Sequence, residues 1–325
     1  MTVIASEQRA PGARKPLLAL AAGLLMPGLG QLYAGDFVRG VLSLFAVALA
    51  VPVGARLALL APSRLLCFVI VAGVVAAIAA YLGAAIDAVR LARRHAADAP
   101  RSWQRPGVYA LYTIVSYVFV LTPLTAHVRD TLVETFVVPT ASMTPNILPG
   151  DRIIVDKTAG RREGGALFRG AIAVFVHPND RTNIFIKRIV GMPGDRISVE
   201  GRRVLVNGHV VTSDVESSGS SSTPNPTTTP DPGPILHERG DRGDYDVLWP
   251  AGAGQNQPQA PASSPEFAVP NGQVFVLGDN RSAALDSRRF GSVPLSDVLG
   301  IARQVWFSSK SGEGVRWNRV GRILK

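Results

Sequence analysis

The sequence predicts N-terminal transmembrane α-helices followed by a mostly β domain outside the membrane. Three observations predict this. The 325 residues are 47% apolar, and that apolar weight is concentrated in the first 126. Unbroken apolar and small-residue runs at 65–86 and 107–126 are each long enough, at about 1.5 Å per residue, to cross roughly 30 Å of hydrocarbon. After Asp130 the texture changes to short β-branched runs separated by Gly, Pro, Asn and Asp, the pattern of a sandwich or partly open barrel.

Taken in chain order, residues 17–34 are apolar but broken by Pro27, Gly28, Gly30 and Gln31. That predicts a re-entrant or interfacial element. Residues 41–61 form a further span, interrupted by Pro52, with Arg56 near the end where a long side chain can snorkel. With 65–86 and 107–126 the membrane region 1–126 thus holds about three spanning helices. Arg90, Arg93, Arg94, Arg101 and Arg105 crowd a short loop before the last of them. Positive loops stay in the cytoplasm, which sends residues 127–325 to the extracytoplasmic side of the membrane. Four helices with the N-terminus outside is the alternative. Apolar sequence resumes directly after the break at 27–31, so a cleaved leader is not expected.

The formal charge of +10 is unaccompanied by an aromatic-interleaved basic motif or zinc spacing, so no nucleic-acid partner is expected; loop charges that set topology explain it better. A single cysteine, Cys67, excludes an intramolecular disulfide framework. Strands are predicted at 151–156, 171–176, 183–190, 196–199, 203–206 and 273–277. Residues 213–264 are rich in Ser, Thr, Pro, Gly and Gln, and only PILHERGDRGDYDVLWP within them carries apolar content. Most of this interval is expected to be a mobile insertion.

The chemistry points to residues 136–151, FVVPTASMTPNILPGD, where an apolar β-rich run meets Pro139 and Ser142 stands beside Met143. An extended backbone there can pair with a peptide laid alongside it, and the flanking prolines limit flexibility. A serine is a poor nucleophile until a base takes its proton. His95, His127, His177, His209 and His237 are scattered without a triad context. A lysine whose pKa is lowered by burial can serve instead. Lys187 is the candidate, since strand alternation sets Phe185, Lys187 and Ile189 on one face, amid Ile184, Ile186 and Val190.

These stretches resemble the sequence boxes of bacterial type I signal peptidases. Residues 136–151 are similar to the nucleophile box PSxSMxPTLxxGD, with Thr140 in place of Ser and Asn146 in place of Thr. Ile186, Lys187, Arg188, Val190, Gly191, Pro193, Gly194 and Asp195 match the base box IKRxVGxPGD. Residues 150–157 and 169–178 resemble the two intervening strand boxes, with Ala171 in place of Asp. Residues 278–294 resemble GDNRxxSxDSRxxGxVP, with Ala284 at the Ser that orients the base lysine; either Ser282 shifts into reach, a water substitutes, or Lys187 is held less firmly.

The resemblance implies a signal-peptidase-type β-fold and a serine endopeptidase using a Ser142–Lys187 dyad, without metal or other cofactor. The Ser142 backbone N–H and the Thr140 hydroxyl are then the oxyanion donors. Phe136, Val138, Met143, Ile147, Phe185 and Ile186 form the apolar surroundings of the dyad, leaving room for small side chains before the cut. Asp279, Arg281, Asp286 and Arg288 are implied to support the site through salt bridges, with Ser287 in the same box. The implied partners are preprotein signal peptides, membrane lipid and the protein export machinery. Two rivals are a catalytically silent relative that binds preproteins and a self-cleaving repressor-type Ser/Lys protein. The second would carry a DNA-binding domain where this chain has apolar helices.

Overall fold

Helix starts in the N-terminal part fall where the sequence signals them. Pro16 and Pro106 open helices at the position where a missing N–H costs nothing, and the Asp36 carboxylate accepts the Arg39 N–H at 3.0 Å as an N-cap. The computed structural model describes residues 14–159, 167–213, 234–249, 264–310 and 312–325. It divides into two units, Met1–Leu132 and Val133–Lys325.

The first unit is helical: α1 Pro16–Leu25, α2 Leu29–Tyr33, α3 Phe37–Leu60, α4 Leu66–Arg94, and α5, the run Pro106–Leu132. Helices α3, α4 and α5 are long and apolar enough to cross a membrane. Residues 17–34 form α1 and α2, separated at Gly28, whose φ of 87° no β-carbon tolerates easily. Gly30 has a packing reason as well, since a β-carbon there would lie 2.4 Å from the Ala19 carbonyl and 2.6 Å from the Ala88 side chain. The Gln104 amide takes up the Leu32 and Tyr33 carbonyls left open where α2 ends, at 3.2 and 2.8 Å. One expectation is corrected here. Arg90, Arg93 and Arg94 do not lie in a loop but on the last turns of α4, because no Gly or Pro interrupts the chain between Gly83 and Pro100.

In the second unit the predicted strands appear as β2 Asp151–Asp156, β3 Ile172–Val176, β4 Ile184–Gly191, β5 Arg196–Glu200, β6 Arg203–Val206 and β11 Gln273–Leu277. To these are added β1 Val133–Val137, β7 His209–Val210, β8 Ile235–Gly240, β9 Gly243–Leu248, β10 Ser264–Ala268, β12 Val293–Pro294, β13 Val298–Lys310 and β14 Gly314–Val315. The main sheet runs β1-β2-β13-β3-β4-β11-β12, with β14 on β13; β10-β5-β6-β7 and the β8–β9 hairpin form the others. Every strand ladder in them is antiparallel. Strand β13 escaped the sequence reading because register shifts at Ala302/Gln304 and Val305/Phe307 break the alternation that marks a strand.

The Ser/Thr/Pro-rich interval divides. Residues 214–233 and 250–263 lie outside the described residues, so the expectation of mobility stays an expectation for them. It does not hold for residues 234–249, where Leu236, Tyr245, Val247 and Trp249 join Val190, Ile197, Phe275 and Leu277 in one buried cluster. Alternation along β8 buries Leu236 and Glu238 on one face, which gives the hairpin an apolar side to dock.

Candidate active site

The loop carrying Ser142 is closed on itself by the backbone. Val138 N–H donates to Asp151 O at 2.9 Å and Gly150 N–H to Val138 O at 2.8 Å, so residues 138–150 leave and rejoin the sheet between β1 and β2 at one point. Asp151, fully buried, anchors that point by accepting from the Arg319 guanidinium (2.5 Å), the Ser308 hydroxyl (2.6 Å) and the Leu148 N–H (2.9 Å). Burial pushes its carboxyl up and these donors pull it back further, leaving it below the ordinary range. Within the loop, Met143 O accepts from Ile147 N at 2.9 Å and Ala141 O from Thr144 N at 3.1 Å.

Lys187 lies in β4, paired across from Ala173 of β3, and is 4% exposed. Its ammonium donates to Ser142 Oγ at 2.8 Å and to the carbonyl of Ile186 at 3.0 Å. Burial brings its pKa down to about 8, against the opposing pull of Asp286 and Asp279. Thr140 Oγ1 lies 3.3 Å from Ser142 Oγ. The family's orienting hydroxyl has no counterpart at Ala284, whose methyl packs on Gly278. The Ile186 carbonyl is the second acceptor of the ammonium.

The expected apolar residues separate into two groups. Val138, Met143 and Ile147 are buried in a cluster with Ile153, Val155 and Val174, and Phe136 and Ile186 pack on it while staying partly exposed. Phe185 belongs elsewhere: its ring lies 5.3 Å from Lys187 Nζ and packs with Phe175, Phe290 and the buried His177. His177, held between two rings, is thus a core histidine.

The charged residues of the 278–288 stretch pair differently from a closed set of four. Asp279 accepts two bonds of 2.7 Å from Arg188, and both residues are fully buried. Asp286 pairs with Arg288, caps the helical turn α6 Ser287–Phe290, and accepts the Gly278 N–H at 3.1 Å. Ser287 Oγ accepts from Val276 N at 2.9 Å. Arg281 pairs outside the stretch, with Glu238 of β8. The sequence reading missed Glu238 and gave no role to Asn280, whose N–H donates to Ser142 O at 3.1 Å and whose amide donates to Ala141 O at 3.3 Å. Asn146, which replaces the family's usual Thr, donates to Asp279 at 2.8 Å and to Asp246 O at 2.7 Å. The signal for Glu238 was its place at an inward position of the one apolar island in the interval. Among the described residues no group of three or more His, Cys, Asp or Glu is placed to hold a metal ion.

A buried lysine bonded to a loop serine can deprotonate it, which is what nucleophilic acyl transfer requires. The chain is similar to known peptidases. Residues 111–307 match the family model described as signal peptidase, peptidase S26. The chain is 30% identical over 219 residues to the signal peptidase I of Pseudomonas fluorescens, covering 60% of this chain and 73% of that protein. It is 28% identical over 243 residues to the signal peptidase I of Buchnera aphidicola subsp. Acyrthosiphon pisum (60% and 76%). It is also 30% identical over 246 residues to the signal peptidase I of Haemophilus influenzae (61% and 68%). Among solved structures, a crystal structure of a signal peptidase I from Enterococcus faecalis aligns with 43% of this chain and 97% of its own, at 24% identity and a TM-score of 0.25.

Proposed function

The chain belongs to the signal peptidase family, peptidase S26, and from that premise we propose that Ser142 and Lys187 are the dyad with which it removes signal peptides from exported preproteins as a membrane-anchored serine peptidase. The reading rests above all on the 2.8 Å bond between Ser142 Oγ and the buried Lys187 ammonium. The neutral amine takes the hydroxyl proton as Oγ attacks the scissile carbonyl. The oxyanion meets the Ser142 N–H and the Thr140 hydroxyl, and the mature protein leaves as an amine after taking that proton. The same lysine then activates the water that hydrolyses the acyl-enzyme. A silent preprotein-binding relative would not need this bond or a lysine shifted toward neutrality.

Lys187 must be neutral to act. Since its pKa lies at about 8, kcat/KM is expected to rise with pH through about 8 and level off above it. A profile already flat from about pH 6 would remove Lys187 from the role of base.

Substrate choice follows from the partly exposed Phe136 and Ile186 over the packed Val138, Met143 and Ile147. A shallow apolar surface takes small side chains, rejects bulk by clash and rejects charge by desolvation. The experiment is cleavage of a preprotein by the detergent-purified protein. A site with Ala at the first and third positions before the cut should be processed, and one carrying Phe or Lys immediately before it should not. Equal cleavage of all three would sink both the pocket and the assignment.

The orientation we infer puts Arg90 to Arg105 in the cytoplasm and the Ser142 site outside it, within a multi-pass bacterial inner-membrane protein. Membrane lipid and the export machinery are then its surroundings. A reporter active only outside the cytoplasm should work when fused after His127 and fail after Arg94. The reverse pattern would overturn the topology.

A further inference from the structure

The β8–β9 hairpin lies inside the polar interval most of which was expected to be a mobile insertion, yet its buried face is tied to the turn beside Ser142. Glu238 and Arg281 are both fully buried. Arg281 donates to both Glu238 oxygens, the Nη2–Oε2 bond being 2.5 Å. The Tyr245 hydroxyl donates to the same carboxylate at 3.0 Å and Thr212 Oγ1 lies 3.2 Å from it. Leu248, at the end of β9, receives Arg281 N–H at 2.8 Å and donates its own N–H to Asp279 O at 2.8 Å, so the hairpin is stitched to residues 279–281 by backbone as well. Arg281 Nε in turn donates to Gly278 O at 3.0 Å.

That turn touches both members of the dyad. Asn280 binds the carbonyls of Ser142 and Ala141. Gly278 is so close that a β-carbon would stand 2.8 Å from Ser142 O and 3.6 Å from Lys187 Cδ. Asp279 holds Arg188, the neighbour of Lys187, and the Tyr245 ring lies 4.0 Å under the Arg188 guanidinium.

We propose that Glu238 is a positioning residue for peptide-bond hydrolysis, clamping Arg281 so that the 278–281 turn holds Ser142 and Lys187 in register. The inference rests on the Ser142–Lys187 reading. Nothing in the hairpin reaches the reacting atoms; its effect passes through Arg281, Gly278 and Asn280.

Displacement of reacting groups by about an ångström typically costs about a hundredfold in rate. Glu238→Gln keeps the shape and removes the charge, so kcat on a preprotein should fall about 10 to 100-fold with KM changed less than about threefold. The pH profile supplies a readout that a general loss of folding would not move. Lys187 faces Asp279 from the turn and Asp286 from the α6 cap, while Arg188 and Arg288 are engaged by those two acids. With Glu238 neutral, Arg281 draws on Asp279, its other acidic neighbour. Asp279 then supports the Lys187 ammonium less, and the acid limb should move to lower pH.

Tyr245→Phe is the milder variant: it leaves the ion pair and the ring over Arg188, removes one donor, and should shift kcat and the acid limb in the same directions. In an Arg281→Met background, Glu238→Gln should change kcat by less than about twofold, since residues acting through one another do not add. The measurements are kcat, KM and pH profile in detergent, on proteins shown to melt cooperatively. A folded Glu238→Gln protein with parental kcat and pH profile overturns the proposal, as does full additivity with Arg281→Met. If Glu238→Gln does not fold, parental kinetics in Tyr245→Phe overturn it. A parent chain that cleaves no preprotein refutes the dyad reading instead, which separates the two failures.

Discussion

Ser142→Ala and Lys187→Ala are each expected to eliminate preprotein cleavage, a loss on the order of 10⁶ in kcat of the kind seen when one member of a catalytic unit is removed. The double variant should be no worse than either single one, because nucleophile and base serve a single step. Their effects on stability should differ. Lys187 is 4% exposed and its pKa falls from 10.5 unfolded to about 8 folded. Between those values the unfolded chain binds more protons, so stability rises with pH there, and the penalty is fully present below about 8. Removing the amine at pH 7 therefore relieves on the order of 3 kcal/mol, offset in part by the cavity left behind. Lys187→Met fills that space and should raise Tm while destroying activity. Retention of near-parental cleavage by Ser142→Ala or by either lysine variant would end the dyad assignment.

Asp279→Ala should have the largest effect on stability. Both Asp279 and Arg188 are fully buried and joined by two bonds of 2.7 Å, with the Asn146 amide on the same carboxylate. Truncating one partner leaves a guanidinium uncompensated in the interior, at a cost of about 3 to 5 kcal/mol. For a unit of this size that lowers Tm by about 6 to 20 °C. The exposed pair Arg196–Glu266, at 3.1 Å with side chains 65% and 53% exposed, is the internal control. Glu266→Ala should cost no more than about 0.5 kcal/mol, because solvent screens that pair. Equal destabilisation by the two variants would show that burial does not decide the strength of the Arg188–Asp279 pair. Activity should fall in Asp279→Ala as well, since the turn anchored by Asp279 holds the carbonyls of Ser142 and Ala141 through Asn280.

The apolar helices were legible because their signal is local: a run of apolar residues declares itself without reference to any other part of the chain. Their ends were less so. Helix α4 continues to Arg94 past the last apolar residues because propensity, not hydropathy, decides where a helix stops. The six short strands of the second unit were equally local, each a β-branched run between turn residues. Strand β13, 13 residues long, was not, since register shifts against β2 and β3 on either side break its alternation.

The same division runs through the candidate site. Motif and chemistry nominated Ser142 and Lys187 from positions 45 residues apart. Burial, which only folding provides, set the lysine near neutrality. The identity of charge partners was beyond sequence reasoning: Arg281 and Glu238 are 43 residues apart, across an interval whose composition reads as linker. A composition average over that interval hides the one alternating segment that packs.

By itself, then, the sequence determined the division into apolar helices and a β-rich half and nominated Ser142 and Lys187 as candidate nucleophile and base, because each is written in contiguous residues. Only the tertiary structure decided that Ile186 O takes up the ammonium where Ala284 has no hydroxyl, that Asp279 belongs to Arg188, and that the hairpin at 234–249 is part of the site's support. Those are choices among partners distant in sequence, made by which groups burial forces to satisfy one another.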